Sequence, residues 1–320
     1  MAIALPASAS LPAHSTPMGR ATAVPPAIPY QGSKRKLAAA ILACFPEELP
    51  ALHEPFCGSA AVSLAAGRRW PAVTIHLNDA NQALAGLWQE IVARPHELAA
   101  RYRQLWQDQQ GRERPFYDEV RDTFNATGEP HLLLFLLARC VKAAVRYNGR
   151  GEFNQSPDNR RLGTRPRRMA ANLLTASAIL GQRTTVTSID FATALAAAGP
   201  DDVVYLDPPY QGVSTAGDRR YAGRLDGGQF VAALEDLNGR GISYVLSYDG
   251  RTGTKVHGRP LPGRLGLAHF DVDAGVSSQA TLSGRRRHTV ESLYLSPALL
   301  DRLSGPPAHL RPAPPAAVTV

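Results

Sequence analysis

The chain has only three cysteines in 320 residues, Cys44, Cys57 and Cys140. They are widely separated and odd in number, so neither a zinc-type spacing nor a disulfide framework follows. A reducing, cytoplasmic setting without a bound metal is expected. No apolar run approaches the roughly 20 residues that a membrane span requires, so no membrane partner is expected. The first Lys or Arg is Arg20, and the stretch before it lacks the basic start of a secretory signal. Internal repeats are absent. So are the Gly-x4-Gly-Lys of a phosphate-binding loop and the Gly-x-Gly-x-x-Gly of a dinucleotide fingerprint. Acidic residues are in deficit, 27 against 35 Lys and Arg, and the net charge of +8 favours a polyanionic partner. A hydrophobic share of 44% is ordinary for a globular chain with a full core. Residues 1–27 and 305–320 are rich in Ala and Pro and are expected to be disordered.

What is present centres on Val203-Val204-Tyr205-Leu206-Asp207-Pro208-Pro209-Tyr210. A short continuous apolar run reads as a strand buried on both faces, as in a parallel sheet. The prolines stop it, because each lacks an N–H and fixes φ, and they leave the Pro208 carbonyl without a ladder partner. One carboxylate, one rigid carbonyl and one aromatic ring thus stand at the C-terminal end of a central strand, where open α/β sheets bind ligands. The set suits an exocyclic amine on a planar heterocycle. Asp207 and the Pro208 carbonyl can accept both hydrogens of an –NH2 group while Tyr210 stacks on the ring. A strand ending in a plain surface turn, capped by Asp207, is the alternative.

Upstream, Pro29-Tyr30-Gln31-Gly32-Ser33-Lys34 opens the ordered chain and leads into a helix with an apolar stripe at Leu37, Ile41 and Leu42. Leu52 to Ala60 reads as a strand, a glycine turn and a helix start, a ready site for a polar ligand. Val73–Leu77 alternates like a strand and ends in Asn78-Asp79, where an acidic residue can accept two ribose hydroxyls or cap the next helix. From 95 to 169 the pattern turns helical, at 96–109, 115–124 and 131–144. Between Arg139 and Arg168 stand eight Arg and one Lys against Glu152 and Asp158, a surface suited to phosphates and base edges. Asn148-Gly149 suggests a tight hairpin turn within it. A third strand at 184–188 precedes Asp190-Phe191, Asp190 being also a good helix cap. The glycine-rich 212–228 carries Arg219, Arg220, Tyr221 and Arg224, a basic loop that could close over a ligand at the strand edge or be disordered without one. Strands at 267–272 and 289–295 are expected to pair antiparallel at the end of the sheet, with Arg285-Arg286-Arg287 between them.

Asp-Pro-Pro-Tyr is an amino-methyltransferase signature, and in its order of motifs the chain resembles the Dam-like family of DNA adenine N6-methyltransferases. Tyr-x-Gly-x-Lys, Glu-Pro-Phe-x-Gly, Asn-Asp-x-Asn, Asn-x-x-Gly-Glu-Phe-Asn and Asp-Pro-Pro-Tyr occur in that sequence from about Pro29 to Pro297. The resemblance implies an α/β fold, a Rossmann-like S-adenosylmethionine methyltransferase sheet with a mostly helical DNA-recognition insert bearing a β-hairpin. It implies catalytic parts at 28–94 and 170–304 and the insert at 95–169. S-adenosyl-L-methionine would be held by Tyr30, Lys34, Glu54, Phe56, Gly58, Ser59, Asp79, Asp190, Phe191 and Asp207. Asp207, Pro208, Pro209 and Tyr210 would serve the target base. Double-stranded DNA would meet Arg146, Asn148, Arg150, Glu152, Asn154, Gln155 and Arg286, and a cognate restriction endonuclease is a partner the resemblance allows. Ala60 departs from the family glycine, mildly so if its backbone is helical.

The expected reaction is direct methyl transfer to an adenine flipped out of the duplex, with no covalent enzyme intermediate. A cytosine N4-methyltransferase, an RNA adenine methyltransferase and a catalytically inactive DNA-binding module remain alternatives.

Overall fold

In this computed structural model, the structure describes residues 24–209, 225–252, 255–257, 261–276, 288–308 and 310–313. Among the described residues nine strands form one sheet: β1 (Ala51–Glu54), β2 (Thr74–Asn78), β3 (Thr184–Thr187), β4 (Val203–Leu206), β5 (Ser243–Thr252), β6 (Lys255–His257), β7 (Ala268–Val276), β8 (His288–Leu295) and β9 (Arg311–Pro312). Their order is β3-β2-β1-β4-β5-β8-β7-β9, with β6 hanging on β5. Pairs from β3 to β5 are parallel, and those of β8 with β5 and β7 are antiparallel, as the alternation at 267–272 and 289–295 suggests. The result is a Rossmann-like α/β sheet with an antiparallel flank.

β4 shows why its four apolar residues follow one another without alternation. Val203 and Tyr205 enter one core, and Val204 and Leu206 enter the other. Burial of one such aliphatic side chain is worth roughly 1.5–3 kcal/mol, so both faces favour the strand. Tyr205 can be buried because its hydroxyl meets Ser247 Oγ at 2.8 Å.

Among the described residues the α-helices are α1 (Ala38–Leu42), α2 (Ala61–Arg69), α3 (Gln82–Ala93), α4 (Pro95–Asp108), α5 (Glu113–Thr127), α6 (Pro130–Arg139), α7 (Pro166–Leu180), α8 (Phe191–Ala196), α9 (Gly227–Gly239) and α10 (Pro297–Arg302). α3 to α7 all lie between β2 and β3 in the chain. α6 is buried along Leu132–Leu137, as a helix apolar all round must be, and α3, α4 and α5 pack on it.

α6 ends earlier than the apolar pattern suggests. Cys140 is extended, and Lys142 and Ala143 take left-handed backbone (φ 61° and 50°), so residues 140–144 leave the helix. The turn delivers the Ala143 carbonyl to the Gln31 amide at 2.9 Å. The ends also differ from expectation. Val24 and Ala27 are buried in the core, Leu310 is buried, and Arg311–Pro312 pairs with β7. Apolar residues inside Ala/Pro-rich stretches thus find partners, and proline is tolerated on this edge strand. The rest of both terminal stretches, and 212–224, lie outside the described residues.

Candidate active site

β1 and β4 lie side by side, yet the chain leaves β1 towards β2 and β3 and leaves β4 towards β5. That reversal opens a crevice at the strands' C-terminal ends. A cavity of about 240 Å3 occupies it, lined among others by Tyr30, Glu54, Phe56, Asp79, Phe191 and Asp207. Lys34, Gly58, Ser59, Asp190, Pro208 and Pro209 also line it, so every described residue expected to serve cofactor or catalysis reaches one place. Tyr210 lies outside the described residues.

The turn after β1 is built around Gly58. Its amide donates to Asp79 Oδ2 at 3.0 Å, and its carbonyl accepts from Trp88 Nε1 at 2.8 Å. Its φ is 45°, and a Cβ there would come within 3.1 Å of the Tyr30 ring, so glycine is favoured on both counts. Ala60 follows at φ 46° and ψ 34°. The condition that would make its departure mild is therefore not met: the position is left-handed, where a Cβ is strained.

Asp79 accepts from the Gly58 and Asn81 amides, while Asn81, not Asp79, caps α3 by accepting from Leu84. That leaves Asp79 a cavity residue. Burial pushes its carboxyl above the ordinary range, with the two amide bonds opposing. Asn78 joins three strand ends, donating to the Pro55 and Ile189 carbonyls at 3.1 Å and accepting from the Ile189 amide at 3.0 Å. Asp190 caps α8 through the Ala192 amide and also lines the cavity. Phe191 leans on Phe56 with ring centroids 5.4 Å apart.

Glu54 sits beneath this floor, accepting from both the amide and the hydroxyl of Ser63 in the first turn of α2. Burial nonetheless drives its carboxyl up to about 8, the two Ser63 bonds opposing and the Asp207 and Asp79 charges adding to the rise. Lys34 is buried, its Nζ 2.8 Å from Asp207 Oδ1 and 3.2 Å from Glu291 Oε2. Asp207 is pushed up to about 6, by burial first, with Lys34 pulling down and Glu291 pushing up. Trp88, Ser63 and Glu291 were not legible as site residues, because no motif contains them and each meets the site only in the fold. Asn78 and Asn81 were legible only as part of Asn-Asp-x-Asn.

The basic segment lies apart from most of this. Instead of a regular hairpin it forms a loop closed by two isolated bridges, Tyr147 with Phe153 and Cys140 with Pro157. The left-handed turn residue is Gly151 (φ 79°), and Asn148 accepts its amide, a wider reversal than an Asn-Gly turn. Asn148 Oδ1 receives the Arg150 and Glu152 amides, and its Nδ2 donates to Glu152. Glu152 also holds Arg150, and Gln155 Nε2 donates to the Val141 carbonyl. Those groups therefore organise the loop, while Arg146, Arg150 and Asn154 are exposed. Arg139, counted with the basic surface, is buried and holds the Asp158 and Arg161 carbonyls from beneath. Arg286 lies outside the described residues.

Among the described residues no group of His, Cys, Asp and Glu is arranged to hold a metal, and no helix is long and apolar enough to cross a membrane.

The chain is similar to a DNA N-6-adenine-methyltransferase of Escherichia phage P1, 30% identical over 62% of this chain and 26% of that protein. It is 31% identical to the Retron Ec67 DNA adenine methylase of Escherichia coli, over 51% of this chain and 56% of the relative. A DNA adenine methylase of Serratia marcescens is 30% identical over 51% and 58%. The chain thus spans about a quarter of the phage protein and less than three-fifths of the other two. Over residues 30–256, which run from Tyr30 through the cavity and the basic loop to β6, it matches the D12 class N6 adenine-specific DNA methyltransferases, and it belongs to that family.

Proposed function

We propose that this protein is a site-specific DNA adenine N6-methyltransferase that uses S-adenosyl-L-methionine. The observation that carries the reading is that Asp207-Pro208-Pro209 and Asp79 line one cavity at the sheet's topological switch point. The donor set fits the cofactor. Asp79 would accept the ribose hydroxyls, Phe56 and Phe191 would flank the adenine ring, and Tyr30 would pack over the Gly58 turn. Glu54, Asp79 and Asp207 surround the cavity with acidic groups whose ionisation burial opposes, a cost that a cationic ligand would offset. S-adenosylmethionine, when bound, supplies a methyl group on a positively charged sulfur.

The chain's own residues do the rest. Asp207 and the Pro208 carbonyl accept the two hydrogens of the target amine and free its lone pair for attack. Lys34 keeps Asp207 ionised against the cost of burial. Tyr210, which directly follows Pro209, would stack on the flipped base and repay part of the few kcal/mol that extrusion costs. Residues 95–169 would form the target-recognition insert, with Arg146, Arg150 and Asn154 meeting DNA and Asn148, Glu152 and Gln155 shaping their loop. Arg286 would add a phosphate contact from its place between β7 and β8.

The test is to incubate the protein with unmethylated genomic DNA and methyl-labelled S-adenosylmethionine and identify the modified nucleosides. N6-methyladenine with wild type and none with Asp207→Ala is the expected result. Near-normal turnover in Asp207→Ala would overturn the mechanism, and N4-methylcytosine as product would correct the base.

A further inference from the structure

β8 brings a third charged group to the catalytic carboxylate. Glu291 stands opposite Val272 of β7 and Gly250 of β5. By strand alternation it shares a face with Leu293 and Leu295, both buried in the core that also holds Leu37 and Ile41. A buried apolar face is a costly place for a carboxylate unless a cation meets it. β5 is irregular at this point. Ser247 pairs with Leu293 and Gly250 with Glu291, so β5 carries an extra residue where β8 advances by two. Bulges of this kind redirect side chains beside active sites.

Among the described residues Lys34 meets Glu291 as a cation, touching Glu291 Oε2 at 3.2 Å and Asp207 Oδ1 at 2.8 Å. The Lys34 side chain is 7% exposed, against 20% for Asp207 and 21% for Glu291. One ammonium between two carboxylates leaves the trio one negative charge when both are ionised. A lysine paired with Asp207 alone would neutralise it and weaken it as a hydrogen-bond acceptor. Sharing divides the lysine's field, and anchoring from β8 fixes it on Oδ1. Among the described residues Oδ2 is then the oxygen left for a substrate N–H.

We propose that Glu291 is a positioning residue for methyl transfer: it anchors Lys34 on Asp207 Oδ1, shares the lysine's charge, and so keeps Asp207 an effective acceptor for the target amine. This rests on the reading of Asp207 as the amine acceptor. Other titratable groups face the same space. Glu54 on β1 is driven up to about 8 and Asp79 after β2 is raised by its own burial, while Tyr205 on β4 is far above its ordinary value and stays neutral. Glu291 is among the causes that raise Asp207, so removing its charge lets the Asp207 carboxyl ionise at lower pH.

The experiment is the single-turnover methylation rate against pH for wild type, Glu291→Gln and Glu291→Asp, with DNA and cofactor saturating. In Glu291→Gln the acid-side inflection should move down by roughly half a unit to one unit, and the plateau should fall several-fold. Glu291→Asp, which restores the charge, should return the inflection towards wild type. The same titration followed by 13C-carboxyl NMR of the unliganded protein should show Asp207 moving in the same direction. A lowered plateau with an unmoved inflection, or no change at all, would overturn the proposal. If Glu291→Gln does not fold, Glu291→Met takes its place in the same series: it also removes the charge, so the inflection should again move down, and a reduced rate without displacement counts against the idea. Asp207→Asn, measured alongside, separates the two claims, since retained turnover there removes the parent reading whatever Glu291 does.

Discussion

Tyr147 and Asn81 are joined across 66 residues: Asn81 Nδ2 donates to the Tyr147 hydroxyl at 3.0 Å, and that hydroxyl lies 3.3 Å from Asn81 Oδ1. Asn81 is the cap of α3 and also gives its amide to Asp79. Tyr147 opens the basic loop and packs edge-on against Phe153. A single phenol therefore ties the proposed DNA-reading segment to the cavity wall.

Tyr147→Phe removes that tie while keeping the ring. It leaves a partly buried amide short of a partner, at a cost of about 1–2 kcal/mol. The expected outcome is a melting temperature lowered by a few degrees and a several-fold loss of S-adenosylmethionine affinity by calorimetry. DNA affinity should change less, because the exposed loop side chains are untouched. Unchanged cofactor binding would show that the link is structural only.

Ala60 gives a second prediction. Its left-handed backbone costs about 1–2 kcal/mol, which glycine would relieve. Glycine would also lose a fully buried methyl and gain freedom in the unfolded chain, each worth about 0.5–1 kcal/mol. The terms nearly cancel, so Ala60→Gly should lie within about 0.5 kcal/mol of wild type in urea unfolding. Ala60→Val adds β-branching to the same backbone and should cost at least about 2 kcal/mol. A strongly stabilised glycine variant would mean that the strain outweighs the lost packing.

These cases mark what the sequence could and could not reveal. β4 was legible because burial on both faces demands an unbroken apolar run, and the two prolines fix its end. The cavity wall was legible because the Asn78-Asp79 and Glu54–Ser59 stretches each close a strand. Illegible were relationships between segments distant in sequence. Glu291 meets Lys34, 257 positions away in the sequence, through the placement of β8 beside β5 in the sheet. The early end of α6 was hidden too, since Val141 to Ala144 carry no glycine or proline and the left-handed Lys142 and Ala143 are held by tertiary contacts. In the basic loop, composition counted cations correctly but did not distinguish the buried Arg139 from its exposed neighbours.

That distinction is measurable. Arg160 and Arg161 are 79% and 78% exposed and lean on Asp158, whose backbone Arg139 supports. Arg160→Ala should weaken DNA binding and lower the slope of log affinity against log salt by about 1, as one lost phosphate contact does. Arg139→Met should also weaken binding, about tenfold, by loosening the loop, yet leave the slope unchanged. Fluorescence anisotropy across 50–200 mM salt separates the two. A reduced slope for Arg139→Met would place that guanidinium on the DNA.

Glu54 carries the last prediction, a dependence of stability on pH. In the folded protein its carboxyl is raised from the ordinary 4.5 to about 8, so the folded state holds the proton more tightly than the unfolded chain does. Its contribution is therefore complete below about pH 4.5 and is lost as pH rises to about 8, above which an ionised buried carboxylate counts against folding. Glu54→Gln keeps an oxygen for the Ser63 amide and hydroxyl but cannot ionise. Urea unfolding at pH 5, 7 and 9 should show wild type losing stability steadily and the variant losing much less. Asp79 and Asp207, raised in the same direction, leave the variant a residual slope. Above about pH 8, where Glu54 ionises, the variant should also bind S-adenosylmethionine less well relative to its neutral thioether product, because it lacks a carboxylate that favours a positive sulfur. Parallel stability curves for the two proteins would mean that Glu54 is protonated throughout or solvated when it ionises, and would remove it from the cavity's electrostatics.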